Sequence, residues 1–315
     1  MRVISHVRKL TLDLDWNEDD LARAIGIDPR SALKLIEDGK WELRRETLHR
    51  LFLLGFEQGL DHGVFEVRQH ELWDTFKGAQ ASIFRADVTW DTKVEGGIRD
   101  FLAHLNCAPT LASSGASAEN IRDLVRTRNC IFIGSPKANR ASEIVLSLFD
   151  GAAPFDASSA NRERASIQFL GRSMSHKDAG STILAESTWC GILFRSPDKR
   201  EPLRVKVDWV SEDEFRGAAL EGVDGAAIVV CRRPLDATAD VTTLVIAGYT
   251  GLATQQAAED LIHGEPPISV EQLERSGTPI RIGHTFHFKK RAYHGQKNLD
   301  TLKVPVRGSA RWLPA

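Results

Sequence analysis

The sequence predicts an α/β protein with an all-α domain at its N-terminus, the larger part being a three-layer domain on a mixed sheet. Two patterns carry this. Residues 1–62 show short segments of helical periodicity bounded by capping residues. From residue 119 onward, an apolar run, a glycine-containing turn and an amphipathic segment follow one another twice, with further strand-like runs between them. Residues 63–118 read as a connecting region and linker, and residues 119–315 as the α/β, ligand-binding-type domain.

The composition agrees with a two-domain globular chain. The protein has 315 residues, 42% hydrophobic and 27% charged, long enough to bury more than one core. No run of about eighteen apolar residues is present, so no transmembrane helix is expected. The opening MRVISHVRKLTLDLDW is interrupted by acids before an apolar core develops, unlike a signal peptide. The four cysteines, Cys107, Cys130, Cys190 and Cys231, form no CxxC pair. Three stand in or beside apolar runs, where a free thiol packs as a small hydrophobe. The expectation is a reduced, cytoplasmic protein with no zinc site. A net charge of −2 gives no global pull toward polyanions, so any nucleic-acid contact must come from a local patch.

Within the N-terminal domain, Val3, Ile4, Val7, Leu10 and Leu12 fall roughly on one face of a helix over residues 2–13. Asn17 is suited to cap the next helix, with Glu18, Asp19 and Asp20 at the positive end of its dipole. Gly26 suits the left-handed residue that ends it. Asp28 and Pro29 open a third helix that stops at Gly39. A fourth, from about Arg45 to Gly55, carries Leu48, Leu51, Phe52 and Leu54 inward. The string LARAIGIDPRSALKLIEDGKWELRRETLHRLFLLG resembles the XRE or lambda-repressor helix-turn-helix family, with Leu21, Ala22, Gly26, Ile27, Ile36, Gly39, Thr47 and Leu48 in register over about residues 5–60. The resemblance implies a helix-turn-helix bundle in which Ala22 lets two helices cross closely and Gly26 makes the turn. It also implies a DNA-binding face of Arg30, Ser31 and Lys34, with Lys40, Arg44, Arg45 and Arg50 as phosphate contacts. Acids and bases nearly balance over these residues, so such a module gains little from phosphate neutralisation and would depend on dimerisation over paired half-sites. A protein-contacting module is the alternative.

Between the domains, VFEVRQ, SIFRADVTW and GGIRDFLAHL read as short strands and a helix. Trp73, Phe76 and Trp90 read as core or interface anchors. The charge-poor NCAPTLASSGASA reads as the linker.

The larger domain begins with a helix at about 118–127, the strand CIFIG, the turn from Gly134 through Ser135, Lys137 and Asn139, and a helix from about Ala141. The second unit is DVTTLVIAG, then Gly248, Tyr249, Thr250, Gly251 and Thr254, then QQAAEDLI. Each is the strand–turn–helix beginning of a Rossmann-like unit, in which free N–H groups at the helix head face an anion. The expected ligand set is therefore Gly134, Ser135, Lys137, Asn139, Gly248, Tyr249, Thr250, Gly251 and Thr254. Neither loop is a Walker A motif or a complete GxGxxG. No definite cofactor follows beyond a nucleotide or another anionic small molecule. SIQFLG, STILAE, CGILFRS, RVKVDWV and GAAIVVCRR read as further strands and make the sheet mixed. RIGHTFHFKKRAY reads as an edge strand; it places His284 and His287 on opposite faces, which disfavours a metal site.

The run GSPKAN followed by Glu143 is loosely similar to the first loop of nucleoside deoxyribosyltransferase-like and TIR-like folds. That likeness implies Glu143 as a catalytic carboxylate, with Glu186 or Asp208 as partner. Two function classes follow. One is a DNA-binding transcription regulator whose α/β domain senses a small ligand as a homo-oligomer. The other is a nucleotide- or NAD-directed N-glycosidase-like effector of a defence or toxin system, with the helical module as a docking or sensing arm. Whether the chain is an enzyme stays open at this level.

Overall fold

The computed structural model describes residues 2–5, 11, 14–38, 50, 65–68, 70–113, 115–173, 175–196, 201–208, 220–263, 266–275, 277–290 and 306–314. The chain divides into two compact units, Met1–His70 with His263–Glu265, and Glu71–Ile262 with Pro266–Ala315.

In the first unit, β1 (Arg2–Ser5) pairs antiparallel with β2 (Phe65–Arg68) in the register Val3↔Val67. Residues 2–5 are therefore not helical, and the unit is not all-α. The β-branched pair Val3–Ile4 favours a strand once a partner is available. Helix α1 (Glu18–Ile25) begins at a capping box in which the Asn17 side chain accepts from the Asp19 and Asp20 amides at 2.9 and 3.0 Å, and the Asp20 carboxylate accepts from the Asn17 amide. Gly26, at φ 67° and ψ 44°, ends it in the left-handed region. Helix α2 (Pro29–Asp38) follows, and Leu21, Ala22, Ile25 and Ala32 of the pair are buried. The fourth expected helix, Arg45–Gly55, lies outside the described residues apart from Arg50, a helical residue whose guanidinium donates to the Ile25 carbonyl at 3.0 Å. That bond satisfies an orphan carbonyl at the end of α1.

The second unit is a mixed α/β body built on two sheets. Its elements, in order, are a 3-10 turn (Glu71–Phe76), β3 (Gln80–Arg85), α3 (Thr89–His104), β4 (Ala108–Ala112), α4 (Ala118–Thr127), β5 (Asn129–Ile133), α5 (Arg140–Phe149), α6 (Ser159–Arg164), β6 (Ile167–Gly171), α7 (His176–Ala179), β7 (Leu184–Glu186), β8 (Gly191–Phe194), β9 (Leu203–Lys206), β10 (Leu220–Arg232), β11 (Thr242–Gly248), α8 (Gly251–His263), α9 (Val270–Glu274), β12 (Ile280–Lys290) and β13 (Val306–Pro314). The seven-stranded sheet runs β13-β12-β10-β11-β5-β3-β4, and the four-stranded sheet β7-β6-β8-β9. Strands β11, β5, β3 and β4 are mutually parallel; β10, β12 and β13 join antiparallel.

Two expectations are corrected here. The segment 63–118 is not a linker, because β3 and β4 belong to the large sheet and α3 crosses between them. Within NCAPTLASSGASA, β4 is an edge strand with mostly exposed side chains, so it lacks the apolar signature of an interior strand. RIGHTFHFKKRAY is not an edge either: β12 lies between β10 and β13.

Each face of the large sheet has its own core. On one, Trp73 and Phe76 of the 3-10 turn pack with Ile98 and Leu102 of α3 and with Ala257 and Leu261 of α8. On the other, α4 and α5 pack with the small sheet through Val125, Val145, Phe169, Ile192 and Val205. Phe84 and Phe132, side by side on β3 and β5, stack at 4.5 Å. Successive strands thus send their helices to opposite faces: α3 after β3, α5 after β5 and α8 after β11. At such reversals a crevice opens beyond the strands' C-terminal ends.

Candidate functional site

Strands β5 and β11 are parallel neighbours, so the two glycine-containing turns leave the same edge of the sheet side by side. The Gly134 amide donates to the Ile246 carbonyl at 2.9 Å, tying the first turn to the second strand.

Most polar groups of the two turns are consumed by the fold. Asn139 is fully buried: its carbonyl oxygen accepts from the Ala141 amide at 3.0 Å, capping α5. Its side-chain N–H groups donate to the Phe84 and Ile133 carbonyls at 3.1 and 2.8 Å, stapling the ends of β3 and β5 together. Ser142 donates to the Gly134 carbonyl at 2.9 Å. In the second turn the Gly248 amide donates to Thr254 Oγ1 at 3.1 Å, and the Ala253 amide to Thr250 Oγ1 at 3.2 Å. A Cβ on Gly248 would stand 2.2 Å from the Thr254 nitrogen, so the tight turn requires glycine. Gly251 packs against the Trp90 ring, and the Asp91 carboxylate lies against Gly134. Each helix head thus has an amide capped from within its own turn, that of Ala141 by Asn139 and that of Ala253 by Thr250, in place of the fully open cradle expected. Gly134, Asn139, Gly248, Thr250, Gly251 and Thr254 build the turns, while Ser135, Lys137 and Tyr249 face open space.

That space is a cavity of about 690 Å³ between the turns and the small sheet. Phe169, Arg172, Trp189, Cys190 and Lys206 line it, along with Asp178 and Asp208. Lys137 pairs with Asp178 at 3.3 Å. Burial pushes the Asp178 carboxyl up, but hydrogen bonds from Ser175 and Lys137 outweigh it, so the group lies below its ordinary range. Asp208 accepts from the Val223 amide at 3.0 Å. Among the described residues, Arg172 and Lys206 have no carboxylate partner, and they leave the wall with a positive surplus. The Tyr249 hydroxyl donates to the Leu170 carbonyl at 2.8 Å. Burial, with the Cys190 thiol beside it, pushes that phenol above its ordinary range, so Tyr249 is a neutral, fixed wall. A wall that includes Arg172 and Lys206 as well as Phe169, Trp189 and Tyr249 suits a ligand that has an anionic group and a planar portion.

Two further carboxylates stand behind the turns. Asp91 is 2% exposed, and its Oδ2 has no hydrogen-bond partner among the described residues. Burial pushes it up to about 7, against the pull of the Ala86 amide and the Arg85 guanidinium. Asp224 on β10 is pushed up to about 6 by burial, despite hydrogen bonds from the Thr250 hydroxyl and the Gly225 amide.

Glu143 does not line the cavity. It is buried, and its carboxylate accepts from the Ser181 hydroxyl, from the Thr182 amide at 2.7 Å and from the Phe155 amide at 3.4 Å. The carboxyl expected as a catalytic group is a tether holding residues 153–156 and 181–183 to α5. Of its expected partners, Asp208 is at the cavity wall and Glu186 ends β7.

At the expected DNA face, Arg30 is exposed. The Ser31 amide and hydroxyl both donate to the Asp28 carboxylate, capping α2. Lys40, Arg44 and Arg45, and the side chain of Lys34, lie outside the described residues. His284 is buried with its ring against Trp312 and its Nε2 2.8 Å from Asp260 Oδ2. Among the described residues no three His, Cys, Asp or Glu side chains converge as a metal site, and no helix is long and apolar enough to cross a membrane.

Arg172, the neighbours Trp189 and Cys190, and Lys206 escape sequence reasoning because they stand at the ends of three separate short segments. The readable signal was weak: a basic residue following each of the apolar runs SIQFLG and LRV. No family model, curated protein or solved structure matches this chain.

Proposed function

We propose that this chain is a DNA-binding transcription regulator. Its N-terminal unit is an XRE-like helix-turn-helix reader, and its Rossmann-like body senses a small, nucleotide-like anion. The observation that carries the sensing half is the cavity at the ends of β5 and β11, lined by Lys137, Arg172 and Lys206 together with aromatic side chains. The reading half is supported by the α1–α2 pair, with buried Ala22 at its crossing and left-handed Gly26 at its turn. Near charge balance in the reader makes a homodimer on a palindromic site the working form.

Native mass spectrometry of protein purified from cells tests this, since it reports subunit number and retained ligand together. The expected result is a dimer carrying a phosphorylated small molecule. Replacing Lys206 by Gln and Trp189 by Ala should lower ligand retention about tenfold. Operator binding should weaken with salt, with a slope set by the few phosphates that the lysines and arginines of the two protomers contact. Protein that prefers no genomic fragment over bulk DNA removes the regulator reading. Retention unaffected by the double substitution removes the cavity as the sensor.

A further inference from the structure

A second cavity, of about 650 Å³, lies at the opposite edge of the large sheet, between the end of α5, the start of β6, the end of β8 and the start of β12. Four arginines line it, Arg164, Arg195, Arg275 and Arg281, against two carboxylates, Asp150 and Glu163.

Its floor is electrically closed. The Asp150 side chain is 5% exposed and accepts from Arg281 Nη2 at 2.6 Å, from the Ser166 amide at 2.7 Å and from the Ser166 hydroxyl at 2.8 Å. One guanidinium and one carboxylate thus cancel, and both are held in place. The rim is different. Arg164 donates through Nη1 to the Gly151 carbonyl at 3.3 Å, and Arg195 through Nη1 to the Arg162 carbonyl at 3.0 Å. A guanidinium has five donors. A single bond to a neutral carbonyl orients each group while leaving its charge and most of its donors for something else. Among the described residues neither Arg164 nor Arg195 has a carboxylate partner. Arg275 shares Glu271, one turn earlier, at 2.9 Å.

We propose that this cavity is a second anion site that takes a phosphate or pyrophosphate group of a small molecule. Arg164 and Arg195 grip its oxygens, and the Arg281–Asp150 pair forms a neutral floor. Guanidinium arms converging from separate elements match a tetrahedral dianion, which accepts bidentate bonds from more than one direction. The enclosing walls favour a small molecule over a nucleic-acid duplex. The site is independent of the cavity at the β5 and β11 turns.

Calorimetric titration of inorganic pyrophosphate into the full chain at low ionic strength tests this. It is run with the wild type, with Arg164→Gln/Arg195→Gln, and with Lys137→Gln/Lys206→Gln. Both arginines are exposed, so the melting temperature of the first variant should stay at the wild-type value; if it falls, Arg195→Lys and Arg164→Gln are read singly. The expected result is one class of pyrophosphate sites weakened about tenfold or more by the arginine pair and untouched by the lysine pair. No class of pyrophosphate sites weakened by the arginine substitutions, or no binding to the wild type, overturns the proposal. Binding abolished by the lysine pair alone also overturns it while leaving the sensing cavity standing. A DNA duplex that binds through these arginines where pyrophosphate does not would overturn the small-anion assignment.

Discussion

At the residue scale, Asp91 is a carboxyl taken almost wholly out of water. Its carboxylate is enclosed by α3 and the first turn, with Arg85 as the nearby cation and one oxygen without a partner among the described residues. Burial raises its folded-state value to about 7, from 3.8 in an exposed chain. The folded protein therefore holds a proton through a window in which the unfolded chain has released it. The stability this proton confers is full below about 4 and lost as pH rises toward 7, at about 1.4 kcal/mol per pH unit in mid-window. Asp91→Asn should flatten that part of the profile and gain on the wild type as pH rises, as read by denaturant unfolding at pH 5, 6, 7 and 8. Parallel profiles would mean the carboxyl is hydrated in solution. Glu143 differs, because three donors serve its buried carboxylate. Glu143→Gln can keep an oxygen toward the Thr182 and Phe155 N–H groups but then sets an NH2 donor against the Ser181 hydroxyl. That hydroxyl already accepts from the Ile183 and Leu184 amides, and the substitution should cost about 1–3 kcal/mol. An unchanged unfolding midpoint would show that the tether carries no load.

At the element scale, what was legible follows from how local each signal is. Helix α1 could be read from Asn17 to Gly26 because its caps are made within the segment. The strand at Arg2–Ser5 could not, since its partner Phe65–Arg68 lies beyond the whole helical segment. Edge strand β4 hid for lack of buried side chains, and β12 passed for an edge because its cover, β13, comes from a later segment. Gly26→Ala probes the α1 terminus directly. It forces a Cβ into the left-handed region and 2.2 Å from Arg50 Nη1, which now serves the Ile25 carbonyl. A loss of about 1 kcal/mol is expected, measured as a drop in the unfolding midpoint with the far-ultraviolet circular dichroism retained. No drop would place the helix end elsewhere in solution.

At the scale of the molecule, the large sheet is shared by two cores, and the small sheet packs into one of them. A ligand seated between the β5 and β11 turns and the small sheet would bridge both sheets of the body. At a hundredfold excess over its dissociation constant, such a ligand should stabilise the protein by about 2.7 kcal/mol. Thermal melting against a panel of nucleotides would show this as an upward shift that Trp189→Ala abolishes. A panel with no shift would exclude these nucleotides as occupants.

Helix caps, the two glycine turns and most interior strands are legible in the amino-acid order, because each depends on residues within a few positions of one another. What the turns hold together is settled by packing. Asn139 gives a side-chain N–H to the Phe84 carbonyl on β3 and the Thr250 hydroxyl goes to Asp224 on β10, partners 55 and 26 positions away in the chain. Packing also brings Lys137, Trp189 and Lys206 to one cavity, and Arg164, Arg195 and Arg281 to a second. Charge and aromatic surface drawn from separate strand ends converge only through packing, which no local pattern encodes.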